Sequence, residues 1–68
     1  MSGRKVGDQI RQLRLKRGLT QDQLAAKARL SRIYIAKLEG GDRISPSLPA
    51  LARIARALGA TLHIDLTE

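Results

Sequence analysis

The amino-acid sequence predicts an all-α fold, a compact four-helix domain followed by one short β-strand. Its 68 residues are enough for a single small domain. Hydrophobic residues make up 43% of the chain and are mostly Leu, Ile and Ala with one aromatic side chain, which favours packed aliphatic helices over strands. Apolar residues also recur at spacings of three and four, as on the buried face of a helix.

The first two helices are predicted from an apolar stripe and from the residues at the helix ends. The stripe predicts a helix over 5–17, and Gly18 suits the left-handed position that ends a helix. Thr20 stands at the N-cap of a second helix over 21–28, with Gln23 three residues later as in a capping box. The inward residues of these two helices are Val6, Ile10, Leu13, Leu24, Ala25 and Ala28.

The third and fourth helices follow from the same two signals. Ser31 is the N-cap candidate of a third helix over 32–39, after which two consecutive glycines interrupt the pattern. Ser47 is the N-cap candidate of a fourth helix over 48–58, which Gly59 should end. The apolar stripes of these helices are Ile35 and Leu38, then Leu48, Leu51, Ile54, Ala55 and Leu58.

The end of the sequence predicts a strand that needs a partner. Residues 61–66 alternate apolar and polar side chains with a period of two, which is typical of a β-strand. A single strand is not stable alone, and no other segment of the sequence offers a second one. We therefore expect Leu62, Ile64 and Leu66 to form a dimer strand that pairs with the same segment of a second copy across a two-fold axis.

The charge balance indicates a polyanionic partner. Thirteen Lys and Arg against six Asp and Glu give a formal net charge of +7, which is typical of nucleic-acid-binding domains. No apolar run approaches the length of about 18 residues that suggests a membrane span, and the polar start lacks the apolar core of a signal peptide. We expect a cytoplasmic protein that does not bind membranes.

Catalytic and metal-binding chemistry is not predicted. The chain has no Cys, one His and no acidic cluster at metal-ligand spacing. His63 lies on the polar side of the predicted strand and is assigned no catalytic role. No nucleophile with a base, glycine-rich phosphate loop or carboxylate pair can be assembled, so we expect a protein that is not an enzyme and uses no cofactor or metal.

The second and third helices, with the three-residue turn between them, have the spacing of a helix-turn-helix. A resemblance to a known family depends on many residues at fixed spacings along the chain. They are 18–25 (GLTQDQLA), Leu30-Ser31, Ile35, Leu38-Glu39, Pro46-Ser47-Leu48 and Ala57-Leu58-Gly59. From about Ile10 to Gly59 the chain resembles the Cro/C1-type (XRE) family of phage-repressor-like transcriptional regulators. The resemblance implies a usually dimeric domain of four or five helices that binds operator DNA and represses transcription.

The facing of the third helix predicts which residues read bases. With about 100° per residue and an inward stripe of Ile35 and Leu38, Ile33 and Lys37 point directly away from the core, with Arg32 at their side. Because the N-terminal part of a recognition helix enters the groove first, our base-edge candidates are Arg32, Ile33 and Lys37. Ile33 can contact the methyl group of thymine, and the two cations can donate hydrogen bonds to guanine. The alternative for Ile33 is an isolated hydrophobic residue on the surface without a binding role.

Five residues are predicted to contact DNA phosphates. The resemblance implies that Gln21, at the start of the second helix, anchors a phosphate; the alternative is that it is only a good helix-start residue. Tyr34 either donates its hydroxyl to a phosphate or packs against the second helix. The resemblance implies a backbone contact for Arg43, and Arg4 and Lys5 are expected to act as a flexible arm.

Other basic residues are assigned to architecture. The resemblance implies that Arg14 and Glu39 form a structural ion pair joining the first helix to the end of the third. Arg53 and Arg56 lie opposite the apolar stripe of the fourth helix and are expected to be solvated. Arg29 departs from the family, which usually has Gly there, and a left-handed backbone would cost it about 1 kcal/mol.

Two functions remain open at the level of sequence. The first is a dimeric repressor of transcription that reads a palindrome in double-stranded DNA. The second is an antitoxin that neutralises a toxin protein and regulates its own operon, since the strand-like end resembles that of some DNA-binding antitoxins. The operator sequence and the toxin partner have no residue signature here.

Overall fold

The computed structural model describes residues 3–40 and 46–60, with side chains from Val6 onward. The described part of the chain forms four helices, so the predicted all-α, four-helix fold class is confirmed. They are α1 (Gly3–Lys16), α2 (Gln21–Ala28), α3 (Arg32–Gly40) and α4 (Leu48–Leu58). None of them combines the length and apolar character that crossing a membrane requires.

The structure changes three helix ends relative to the prediction, and the first is the end of α1, at Lys16 instead of residue 17. Helix α1 begins at Gly3, so the expectation of a flexible arm at Arg4 and Lys5 is wrong: both belong to its first turn. The apolar stripe of the sequence starts only at Val6, so the residues before it give no periodic signal. Helix α3 runs one residue further than predicted, to Gly40. Arg43 and the predicted strand over 61–66 lie outside the described residues.

The core is aliphatic and draws on all four helices. Helix α3 packs between α1 and α2, and α2 also packs along α4. Each buried Leu or Ile side chain contributes roughly 1.5–3 kcal/mol of transfer free energy. Leu48, predicted on the inner stripe of α4, is instead 60% exposed because it is the first residue of the helix, before the turn that meets the core. The most deeply buried side chains are Val6, Ile10, Leu24, Ile35, Leu38, Ile54 and Leu58.

Hydroxyl side chains cap the start of three helices. The Thr20 hydroxyl accepts from the amide of Gln23 at 3.0 Å, and the Gln23 side chain accepts from the Thr20 amide at 2.8 Å, which completes the predicted capping box. Ser31 accepts from the amide three residues later at 3.0 Å, and Ser47 does so at 3.1 Å. Each cap of this kind stabilises a helix by about 1 kcal/mol.

Three helices end in the same left-handed turn. The residues at these ends are Gly18, Arg29 and Gly59, with φ values of 67°, 58° and 61°. At each end the next amide bonds back to a carbonyl five residues earlier, for example Leu30 to Ala25 at 2.9 Å. Arg29 therefore adopts the strained conformation considered above, in a position where the two equivalent turns carry glycine.

Two arginines donate hydrogen bonds to the carbonyl groups at the ends of helices that are distant in the sequence. Arg53 of α4 donates through Nε to the Ala28 carbonyl at 3.2 Å and through Nη2 to the Arg29 carbonyl at 2.8 Å. Arg17 donates in the same way to the Leu58 carbonyl, at 2.8 Å. The expectation that Arg53 is only solvated is therefore wrong, because its guanidinium satisfies the last carbonyls of α2.

Replacing Arg29 by glycine is expected to stabilise the domain by about 0.5–1 kcal/mol. Glycine adopts a positive φ without the Cβ clash. The free energy gained in this way exceeds the free-energy cost of the larger conformational entropy that glycine has in the unfolded chain. Urea unfolding monitored by circular dichroism measures the change in the free energy of unfolding. The control is Gly59→Arg, the reverse exchange at the equivalent turn, where nothing lies within 4 Å of an added Cβ. This variant should lose about 1 kcal/mol, and equal stabilities of both variants and the parent would contradict the assignment of strain.

Candidate nucleic-acid interface

Helix α3 presents an outward face that is free of the core. Ile35 and Leu38 are buried, at 0% and 1% exposure, whereas Ile33 is 62% exposed. Lys37 and Arg32 are also exposed, and Ala36 between them is half-buried. The structure thus brings the three predicted base-edge residues together on one accessible surface, which we call the α3 face (Arg32, Ile33 and Lys37).

Arg32 is held at the edge of the α3 face by α2. Its Nε atom lies 3.3 Å from Oδ1 of Asp22, with the two side chains 60% and 73% exposed. Asp22 stands in the first turn of α2, where its negative charge is favourable for the helix dipole. An ion pair this exposed adds little to folding stability.

Gln21 belongs to a polar network that also contains the predicted ion pair. Arg14 donates to both carboxylate oxygens of Glu39, from Nε at 2.7 Å and from Nη2 at 2.9 Å. Its Nη1 donates to the Leu19 carbonyl at 2.8 Å. Gln21 Nε2 donates to Oε1 of Glu39 at 3.3 Å. The network ties the end of α1, the start of α2 and the end of α3 into one unit.

The network is largely buried. The side chain of Glu39 is 3% exposed and that of Arg14 is 11% exposed. The hydrogen bond with Glu39 raises the pKa of the Arg14 guanidinium, against the effect of burial, so Arg14 stays positively charged throughout the physiological range. Because Arg14 neutralises Glu39, the carboxylate adds little negative potential beside Gln21.

The amide nitrogen of Gln21 has a second hydrogen. One N–H is directed to Glu39, and the other is available to an acceptor at the start of α2. The architectural contact and the predicted phosphate contact are therefore compatible. The structure adds a role that sequence reasoning did not foresee, since Gln21 was expected to be either a phosphate anchor or a simple helix-start residue.

The remaining predicted phosphate contacts are only partly described. Tyr34 is half-buried and packs against the core, and its packing against α2 in particular stays a prediction. A contact between its hydroxyl and a phosphate stays a prediction. The side chains of Arg4, Lys5 and Arg43 lie outside the described residues, as do the dimer-strand residues Leu62, Ile64 and Leu66.

A second group of basic side chains gathers away from the α3 face. Lys27, Arg29, Arg53 and Arg56 line a cleft between α2 and α4. Lys27 and Arg56 lie in the last turns of their helices, where cations are favourable for the helix dipole, and Arg53 binds carbonyls. The geometry of the helix ends therefore accounts for this cluster.

Helices α2 and α3 with their short turn, the capped start of α2 and the outward α3 face define a helix-turn-helix protein with a surface suited to duplex DNA. A helix-turn-helix domain model matches residues 5–65, and the chain belongs to this family of helix-turn-helix domains.

Known proteins support the same family. The chain is 54% identical over 63 residues to the immunity repressor protein of Bacillus phage phi105, a match that spans 93% of this chain and 43% of that protein. It is also similar to the restriction-modification controller protein C.AhdI from Aeromonas hydrophila, with a TM-score of 0.81, 36% identity and coverage of 87% and 88%. The controller protein C.Esp1396I, solved as a tetramer with its 35 base-pair operator, matches with a TM-score of 0.79, 34% identity and coverage of 87% and 76%. The resemblance to helix-turn-helix regulators is thus confirmed.

Proposed function

We propose that this protein binds double-stranded DNA in a sequence-specific manner and represses transcription as a homodimer on a palindromic operator. It acts as a binding module without catalysis, in the cytoplasm, where its DNA partner lies. The observation that carries the proposal is the α3 face: two cations and an isoleucine that is 62% exposed, on a helix whose opposite side is buried in the core.

The chemistry of the α3 face matches the edges of base pairs in the major groove. Lys37 and Arg32 can donate to O6 and N7 of guanine, and Ile33 can contact the C5-methyl group of thymine. Gln21 and the amides at the start of α2 supply a phosphate contact that sets the position of the helix. The excess of basic residues adds an attraction that does not depend on sequence.

The names of the similar proteins support the regulatory part of the proposal. One is a phage immunity repressor, and another was solved as a tetramer on its natural operator. Since the chain spans less than half of the immunity repressor, the activity of that whole protein is carried over only as a proposal. A dimer would place two α3 faces about one helical turn of DNA apart, roughly 34–36 Å. No specific observation favours the antitoxin alternative or a toxin partner.

Fluorescence anisotropy tests the proposal directly. An operator obtained by selection from a random duplex pool should bind at least about 1000-fold more tightly than a scrambled duplex of the same length and composition at physiological salt. Equal affinities for the two duplexes would overturn sequence-specific binding and leave only a non-specific basic protein. Analytical ultracentrifugation of the complex tests the dimer, and one protein chain per palindrome would overturn it.

Ile33→Ala and Gln21→Ala separate base reading from anchoring. Ile33→Ala is expected to weaken discrimination at one thymine position by about 1 kcal/mol and to leave non-specific affinity unchanged. Gln21→Ala is expected to weaken all duplexes alike, because a phosphate contact carries no sequence information. Both variants are first checked for folding by circular dichroism, since Gln21 also contacts Glu39. An unchanged base preference in Ile33→Ala would contradict the assigned facing of α3.

A further inference from the structure

The ion pair between α2 and α3 has a consequence for base recognition. We infer that Asp22 is a positioning residue that orients Arg32 to read guanine, an inference that rests on the proposed function. Its carboxylate Oδ1 lies 3.3 Å from Nε of Arg32, at the N-terminal end of α3 where a recognition helix first meets the bases.

The geometry of the guanidinium group couples the position of Nε to the positions of the two Nη atoms. The group is planar and carries its donors in a fixed fork, so a partner on the Nε side determines where the two Nη atoms point. Two donors in parallel are what a bidentate contact with O6 and N7 of guanine requires. Nε is the nitrogen that pairs with Asp22, and the Arg32 side chain is 60% exposed, so its Nη atoms are open to a ligand. Asp22 thereby reduces the number of side-chain conformations that Arg32 must lose on binding.

The position of Asp22 is otherwise unfavourable for a DNA-binding surface. A carboxylate that is 73% exposed beside the α3 face repels phosphates, in a chain with a net charge of +7. Its placement in the first turn of α2 is favourable for the helix dipole, but that role predicts no effect on base preference. A role in orienting Arg32 does predict an effect on base preference.

Removing the charge of Asp22 should therefore move two measured quantities in opposite directions. In Asp22→Asn, affinity for a scrambled duplex is expected to rise by about twofold, because a repulsive charge is lost. Preference for guanine at the base pair read by Arg32 is expected to fall by about threefold to tenfold, because the guanidinium is no longer oriented. A helix-dipole role alone would change stability and leave the base preference intact.

The experiment compares variants on a set of single-base changes in the selected operator. Arg32→Lys keeps the positive charge but lacks the fork, so it identifies the base pair that Arg32 reads. Asp8→Asn is the matched control, because it removes the same charge from an exposed residue of α1. Asp22→Asn alone should lose discrimination, and it should lose it at the base pair affected by Arg32→Lys.

The outcomes distinguish this inference from the proposed function. If the wild-type protein has no base preference, the proposed function fails, and the inference with it. If the wild type discriminates but Asp22→Asn retains full guanine preference, or behaves like Asp8→Asn, only the inference is overturned. Thermal unfolding of each variant by circular dichroism verifies that every comparison is made on folded protein.

Discussion

The Gly7→Ala variant is expected to lose about 3 kcal/mol or more of folding stability, the typical upper range for overpacking. A Cβ atom at position 7 would collide with the carbonyl oxygen of Leu38 and lie 2.9 Å from the carbonyl carbon. It would also lie 3.3 Å from Cα of Glu39. These atoms belong to the backbone of α3, so no change of side-chain conformation relieves the contact. Helices α1 and α3 would have to move apart.

Urea unfolding monitored by circular dichroism measures the loss. A single domain of this size has only about 3–5 kcal/mol to lose, so a large part of the Gly7→Ala protein should be unfolded without denaturant. Gly40→Ala is the matched control, because nothing lies within 4 Å of an added Cβ at this helical glycine. It should be neutral or stabilising by up to about 1 kcal/mol. A Gly7→Ala protein as stable as Gly40→Ala would contradict the close crossing of α1 and α3.

The Glu39→Ala variant is expected to lose about 3–5 kcal/mol, because it leaves the charge of Arg14 in a largely buried site without its counter-ion. The guanidinium would retain the Leu19 carbonyl as acceptor, at 2.8 Å, but would lose both bonds to the carboxylate. Gln21 would lose its acceptor as well. Equilibrium unfolding of the variant gives the loss in stability.

Two comparisons show whether burial is the cause. Asp22→Asn removes one partner of the exposed ion pair and should cost less than about 1 kcal/mol. The double variant Arg14→Met with Glu39→Leu removes both charges and should recover most of the stability lost by Glu39→Ala, since no buried charge is then left unpaired. A loss in Glu39→Ala no larger than in Asp22→Asn would contradict the buried character of the pair.

Much of this fold is predictable because its signals are local. The capping box of Thr20 and Gln23 depends on atoms three residues apart, and its two hydrogen bonds are present. The facing of α3 depends on the helical repeat alone, and Ile33 is exposed while Ile35 is buried. The contact of Arg14 with Glu39 spans 25 residues and was expected only through the family resemblance.

The sequence by itself determined the four-helix fold class, the helix caps and the outward position of Ile33 and Lys37, because these properties follow from the spacing of residues along a helix. Only the tertiary structure decided the close approach at Gly7, the hold of Arg53 on the end of α2 and the pairing of Asp22 with Arg32. These contacts depend on how far apart two helices lie and how each is rotated. No local pattern of residues encodes these distances, because they result from packing the whole core.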